Sequence, residues 1–371
     1  MKKALFLPFL TMKTGHHQVA DALMAFIEKC NGDIEVKKVD LLHYANPFAE
    51  KVISRGYVSW IKYAPTTYTK FYKKVLADRQ ERTMDYKLYN PLLKFLIRLI
   101  DEEKPNIIFC TQSVPSYLLS KLKQNGQCEI PVVNVYTDFF MNKLWGIEAV
   151  DYHFVPMQQM KQQLCELGVA EDKVFVTGIP VHEELLRASS LHQFMHNILI
   201  AGGNLGMMNR SNLYEQLKQN KQFHYYILCG INMKLYQHIL AWQLPNVTPI
   251  SYIESRTEMN HLYDQMDAVI TKPGGVTVSE LLHKKLPIFV HSVLPGQEEY
   301  NLQYLREQGL VYTLEKKKVL HQQLEQVLLN DEKLACYHQQ VTTYLGDLQL
   351  KTADDWIQFI QMIVERRVNY V

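Results

Sequence analysis

An α/β architecture with two doubly wound, mainly parallel sheets follows from three features of the chain. Apolar runs alternate with helical patterns through both halves. The 371 residues suffice for two cores of ordinary size. Between the halves, residues 181–197 lack strand character and read as a linker. Domains are therefore expected at 1–182 and 183–371, with the final helix able to return to the first domain. Two such sheets facing each other across a cleft would suit a ligand bound between them.

In the first half, residues 4–9, 34–39, 107–110, 132–136, 152–155 and 174–176 read as strands. In the second half, 198–201, 225–229, 247–250, 268–271 and 288–290 do the same. Met1-Lys2-Lys3 and the apolar stretch after it faintly suggest a signal peptide. That stretch is short and no small-residue cleavage site follows, so it reads as a first buried strand. Nowhere do about 18 apolar residues run together, and no transmembrane helix is expected. Hydrophobic residues make up 47% and charged residues 21%, which excludes a disordered chain. A net charge of +2 gives no signal for nucleic acid. Cys30, Cys110, Cys128, Cys165, Cys229 and Cys336 form no C-x-x-C pair. That argues against a zinc ribbon or a disulfide framework and fits a reducing cytoplasm.

The strand ending at Thr271 runs into Lys272-Pro273-Gly274-Gly275 and then a helical stretch. Glycines at such a turn let a ligand approach the backbone. The helix N-terminus then offers unpaired N–H groups and partial positive charge to a phosphate. Thr277 adds a hydroxyl, and Glu280 could accept hydrogen bonds from a ribose diol. A tight structural turn with a solvated Glu280 fits the same residues. A second glycine loop, Gly202-Gly203-Asn204-Leu205-Gly206, follows the strand at 198–201. Neither G-x-G-x-x-G nor G-x-x-x-x-G-K-[ST] is present. Two glycine turns after strands of one domain suggest a nucleotide diphosphate held between them. Gln297, Glu298 and Asn301 fall at helical spacing and could meet sugar hydroxyls, although capping and solvation explain them as well.

After the first strand, Gly15-His16-His17 opens a helix. The dipole at a helix N-terminus disfavours imidazolium, which favours a neutral histidine able to take a proton. Asp138 ends another first-half strand and could face the same edge. No Asp-x-Asp occurs, so leaving-group stabilisation is expected from helix dipole and backbone donors, with no metal and no cofactor. His182-Glu183-Glu184 lacks a metal-ligand spacing.

Residues 50–100 carry eleven Lys/Arg against four Asp/Glu, a local charge of +7. The remaining chain is at −5. Nine aromatics lie in the segment, and Tyr68, Phe71, Tyr72, Val75 and Leu76 fall on one helical face flanked by Lys70, Lys73 and Lys74. Such a face suits an anionic membrane interface. A helix packed on its own domain, with a solvated basic side, is the plainer alternative.

These residues converge on a resemblance. The chain resembles the bacterial processive diacylglycerol glucosyltransferases and the plant monogalactosyldiacylglycerol synthases, and more distantly the peptidoglycan N-acetylglucosaminyltransferase. The likeness is most specific in TKPGGVTVSE (271–280), PGQEEYN (295–301), TGIPV (177–181) and Thr137-Asp138-Phe139. It implies a GT-B fold of two Rossmann-like domains and an inverting transfer of hexose from a UDP-sugar to diacylglycerol or a glycosyl-diacylglycerol. It also implies a peripheral enzyme of glycolipid biosynthesis on the cytoplasmic, inner face of the cell membrane. By the resemblance, Gly274, Gly275, Thr277 and Glu280 match the donor motif, with Glu280 on the ribose. Gly203 matches the other diphosphate-side loop, Ile253 the uracil-reading position, and Gln297, Glu298 and Asn301 the donor-sugar loop. His16 matches the proposed base, although Lys13-Thr14 replaces the family's extra glycines and His17 competes for the role. Competing expectations are another lipid acceptor such as a polyprenyl-linked glycan, a UDP-sugar 2-epimerase, and a catalytically weak nucleotide-sugar sensor.

Overall fold

The computed structural model describes residues 2–12, 14–30, 34–72, 74, 90–186, 194–202, 213–220, 222–294 and 296–365. The chain divides into two compact units. Unit 1 comprises Met1–Glu183, Pro295–Gln297 and Asp347–Val371, and unit 2 comprises Glu184–Leu294 and Glu298–Gly346.

Unit 1 begins β1 (Lys2–Phe6), α1 (Gly15–Glu28), β2 (Ile34–Lys38), α2 (Leu41–Ala45), α3 (Pro47–Tyr63), α4 (Pro65–Phe71) and α5 (Asn90–Glu103). It continues β3 (Ile107–Cys110), α6 (Ser113–Gln124), β4 (Val132–Val135), β5 (Tyr152–Val155), α7 (Gln158–Glu166) and β6 (Val174–Val176). The sheet is parallel, in the order β2-β1-β3-β4-β5-β6. β3 and β4 are buried along their whole length, as strands covered on both faces must be. The first strand was expected to reach residue 9. Pro8 has no N–H to give to the ladder, so the last strand bond here is Leu7 N–H to the Phe109 carbonyl, 2.9 Å. In α1 the buried residues Val19, Ala20, Leu23, Phe26 and Ile27 make one helical face.

α3 starts where Pro47 occupies the first helical position and the Asn46 side chain accepts from the N–H groups of Phe48 (3.1 Å) and Ala49 (3.0 Å). Its Glu50 is buried and accepts from the hydroxyls of Thr11 (2.7 Å) and Ser54 (2.6 Å). The opposite face is apolar and open: Phe48, Val52, Trp60 and Tyr63 succeed one another at helical spacing, with Phe48 78% and Tyr63 76% exposed. The outward aromatic face expected on the next helix divides instead. Tyr68 and Tyr72 are buried against Tyr57, Trp60 and Phe140, and only Phe71 is exposed. Burying two large rings is worth more than leaving them in water, and α3 supplies the surface for it. Gly296 completes that enclosure. Its φ of +97° suits glycine, and a Cβ there would lie 3.1 Å from both tyrosine rings. Lys73, Val75 and Leu76 lie outside the described residues.

The chain continues with α8 (Glu183–Leu186), and unit 2 carries β7 (Asn197–Ala201), α9 (Leu213–Gln219), β8 (His224–Leu228), α10 (Met233–Leu240), β9 (Val247–Ile250) and α11 (Arg256–Asp264). Then come β10 (Ala268–Thr271), α12 (Gly275–His283), β11 (Ile288–Val290), α13 (Gln297–Glu307), β12 (Tyr312–Thr313), α14 (Leu320–Leu328) and α15 (Asp331–Gly346). Its sheet is also parallel, β12-β11-β10-β7-β8-β9. β12 was not foreseen, because two residues carry no period. The core gathers Ile198, Ile200, Tyr225, Ile227, Ile270 and Phe289 between the strands and α14.

The last helix, α16 (Ala353–Glu365), returns to unit 1 and lies on α1. Trp356 is buried and stacks on Phe26 at 5.6 Å with the rings 2° apart. Phe359 meets Phe154 and Phe175. Among the described residues, no helix is long and apolar enough to cross a membrane. No cysteine forms a disulfide.

Candidate functional site

In each sheet the strand order reverses direction once, and open α/β sheets bind ligands beyond the carboxyl ends of their strands at that point. In unit 1 the reversal falls between β1 and β3. The residues gathered there come from the ends of three adjacent strands: His16 after β1, Thr111 after β3, and Thr137 and Asp138 after β4.

His16 is the second residue of α1, and part of its surface stays open. Its Nδ1 lies 2.8 Å from the Thr111 carbonyl and 2.9 Å from Thr137 Oγ1. A carbonyl can only accept, so Nδ1 carries the hydrogen and Nε2 is left as the basic nitrogen. Enclosure of the ring lowers the pKa of His16 below its ordinary value, and His17 adds to this. The Asp138 carboxylate and the Thr111 carbonyl work the other way. The net effect keeps the imidazole neutral. His17 is buried, with Nε2 2.6 Å from the Leu10 carbonyl and 3.4 Å from Asp40 Oδ1. Its ring is thus engaged by the β1–α1 loop and by the residue preceding α2. Asp138 also faces Tyr68 and Tyr72, whose hydroxyls it helps to hold protonated.

In unit 2 the reversal falls between β7 and β10, and the two glycine turns leave from these two strands. Gly202 is buried at the end of β7. Gly203 lies outside the described residues. After β10, Gly274 precedes α12 with φ −75°, a value open to any residue, and a Cβ there would meet nothing within 4 Å. Neither backbone nor packing requires glycine at 274. Its missing side chain leaves space over the N-terminus of α12. Gly275 is buried and Thr277 half-buried in the first turn.

Glu280, the sixth residue of α12, is only 6% exposed. Tyr263 donates its hydroxyl to Oε2 at 3.1 Å, and Arg256 Nη1 stands 3.7 Å from Oε1. Burial pushes the Glu280 carboxyl above its ordinary range, against the pull of Arg256 and Tyr263. Ile253 is half-buried, between β9 and α11. Asn301 is fully buried and donates to the Pro273 carbonyl at 3.1 Å, tying α13 to the glycine turn. Glu298 accepts from the Leu294 N–H at 2.6 Å. Gln297 is half-buried at the head of α13.

Residues that sequence reasoning passed over stand in the same places. Thr111 and Thr137 fix the His16 tautomer, and Arg256 and Tyr263 surround Glu280. Lys272 lies between β10 and the glycine turn. Burial lowers its pKa, and the Glu298 carboxylate opposes this. A strand-end position was the one available signal for Thr111 and Thr137.

Comparisons with known proteins bear on the family and the fold. Residues 16–181 match the monogalactosyldiacylglycerol (MGDG) synthase family. Residues 197–354 match the glycosyltransferase family 28 C-terminal domain. The chain is 38% identical to the uncharacterized glycosyltransferase YkoN of Bacillus subtilis, over 97% of each chain. It is 26% identical to the processive diacylglycerol beta-glucosyltransferase of Bacillus subtilis, covering 86% of this chain and 85% of that one. Among solved structures, it is similar to MurG of Acinetobacter baumannii with a TM-score of 0.59 and 14% identity, over 97% of this chain and 99% of that one. A UDP complex of MnaA from S. aureus gives a TM-score of 0.57 at 14% identity, over 100% of this chain and 98% of that one.

Proposed function

The chain belongs to the glycosyltransferases of the MGDG-synthase and family 28 group, with a GT-B fold, and on that premise we propose that it moves a hexose from a UDP-sugar to diacylglycerol or a glycosyl-diacylglycerol. The diphosphate sits at the N-terminus of α12 above Gly274, where backbone N–H groups and the helix dipole meet its charge. Glu280 accepts from the ribose, Ile253 borders the uracil, and Gln297 and Glu298 meet the sugar. Gly203, by the family resemblance, serves the other side of the diphosphate.

The reaction is a single displacement with inversion. The acceptor hydroxyl oxygen forms a bond to the anomeric carbon while the bond from that carbon to the β-phosphate oxygen breaks. The hydroxyl proton passes to His16 Nε2 and UDP leaves with the bonding pair. Asp138 lies close enough to stabilise the imidazolium that forms. Charge on the leaving diphosphate is met by the helix and by backbone donors, without a metal or cofactor.

The observation that carries the reading is the His16 tautomer: a proton held on Nδ1 by a carbonyl leaves Nε2 able to take one. The lipid acceptor is supported by the named function of the processive relatives and by the open apolar face of α3. That face, with exposed Lys51, Arg55, Lys70 and Lys74 nearby, suits reversible docking on the anionic inner surface of the cell membrane. Incubating purified protein with diacylglycerol vesicles and a panel of UDP-sugars, followed by lipid mass spectrometry, tests the proposal. Hexosylated diacylglycerol is the expected product. Failure with every UDP-sugar, or conversion of a UDP-sugar without acceptor, would overturn it.

A further inference from the structure

The surroundings of Glu280 carry an inference that rests on its reading as the ribose acceptor. A carboxylate this buried takes up a proton unless charge and hydrogen bonds hold it ionised. Among the described residues, the titratable or charged groups acting on it are Arg256 and Tyr263. Both belong to α11, seven residues apart, which is two turns and therefore one face. At 3.7 Å the guanidinium is beyond hydrogen-bond length and acts through its charge. Tyr263 occupies one acceptor position on Oε2. A carboxylate has about four such positions, so room remains for two hydroxyls.

We propose that Arg256 and Tyr263 are positioning residues that keep the Glu280 carboxylate charged and oriented toward the donor's ribose diol. A purely structural role, pinning α11 to α12, is already filled one turn further on. There, buried Lys284 on the segment ending α12 reaches Asp264 at 2.6 Å and Asn260 at 2.8 Å. Arg256 is not required for that join, and its side chain is 29% exposed.

The test is the ratio of affinities for UDP and 2′-deoxy-UDP, measured by calorimetry from about pH 5.5 to about pH 8.5. Phosphate ionisation is common to both ligands and cancels in the ratio. In the unaltered protein the ratio should reach about tenfold at the upper end, the worth of one charge-assisted hydrogen bond. Arg256→Met should make the ratio fall toward one as pH decreases, starting at a higher pH than in the unaltered protein. Arg256→Lys should restore the original profile. Tyr263→Phe should move the profile the same way by less. Ratio profiles for Arg256→Met and Tyr263→Phe that superimpose on the original would overturn the proposal, because a structural role weakens both ligands equally at every pH. Glu280→Gln separates this failure from failure of the underlying reading. It should hold the ratio near one at all pH values, and a retained ratio would mean that Glu280 does not bind the diol at all.

Discussion

His16 and His17 are neighbours in sequence, but one ring is held at Nδ1 by strand-end residues and the other is engaged by Leu10 and Asp40. If His16 is the base, His16→Ala should reduce turnover on the order of 100-fold while UDP affinity stays nearly unchanged. His17→Ala should instead lower stability by about 1–3 kcal/mol, the cost of leaving the half-buried Leu10 carbonyl without its partner. Single-turnover kinetics and denaturant titration of both variants distinguish them, and the reverse pattern would reassign the base. The pH profile follows from the lowered pKa of His16. A base is active when unprotonated, so activity should persist below the ordinary histidine value, and the acid limb of kcat/KM should lie under pH 6.5. An acid limb above that value would contradict the assignment. The sequence made both histidines visible but could not choose between them. The choice depends on Thr111 and Thr137, about a hundred residues distant, and no local pattern reports such partners. Arg256 was overlooked for a related reason: a lone arginine opening a helix looks solvated until the buried Glu280 is placed beside it.

At the level of elements, alternation of apolar runs with helical faces located eleven of the twelve strands among the described residues, because strands buried on both faces leave continuous apolar runs. The basic aromatic segment was less readable. Its aromatic content signalled a special surface, but the rings sort between two helices. Tyr68 and Tyr72 turn inward, and the open apolar face belongs to α3. Periodicity within α4 could not show that α3 would offer a better place for those rings. The docking proposal therefore predicts two separable effects. Phe48→Ser with Tyr63→Ser should weaken vesicle binding without unfolding the protein, since both side chains are about three-quarters exposed. Changing Lys70, Lys73 and Lys74 together to Glu should weaken binding to anionic vesicles by roughly 1 kcal/mol for each charge removed. High salt should suppress the charge contribution but leave the apolar one. Vesicle co-sedimentation measures both, and equal sedimentation of all variants would remove α3 and α4 from any membrane role. Activity on detergent-dispersed acceptor should survive in each.

For the whole molecule, the last helix belongs to the first unit. Trp356 fills a place between Phe26 and Phe154, so Trp356→Ala should cost about 3–5 kcal/mol. Denaturant unfolding followed by tyrosine and tryptophan signals should show unit 1 losing stability. Loss confined to unit 2 would contradict the assignment of α16. Acid should also destabilise the chain. Burial lowers His153 to about 3, and His283 and His291 to about 4. The unfolded chain takes up these protons as pH falls below 6.5 and the folded chain does not, so the stabilisation present above 6.5 is lost down to about 4. Glu280 and Asp40 act in the opposite direction, since burial raises both, but Arg256 and Tyr263 oppose the rise at Glu280 and His17 opposes it at Asp40. Thermal midpoints should therefore fall between about pH 7 and about pH 5, and an unchanged midpoint would refute this.

The return of α16 to α1 also sets an order in time. Everything in unit 2 leaves the ribosome before the helix that finishes unit 1. At about 5–20 residues per second, the β1–β6 sheet waits roughly ten seconds or more with Phe26, Phe154 and Phe175 uncovered on one side. The later unit in sequence can therefore be complete while the earlier one is still an unfinished sheet. A chain that ends at Leu350 and has been released from the ribosome should bind UDP-side ligands and chaperones together, the first through a finished unit 2 and the second through the bare aromatic face of unit 1.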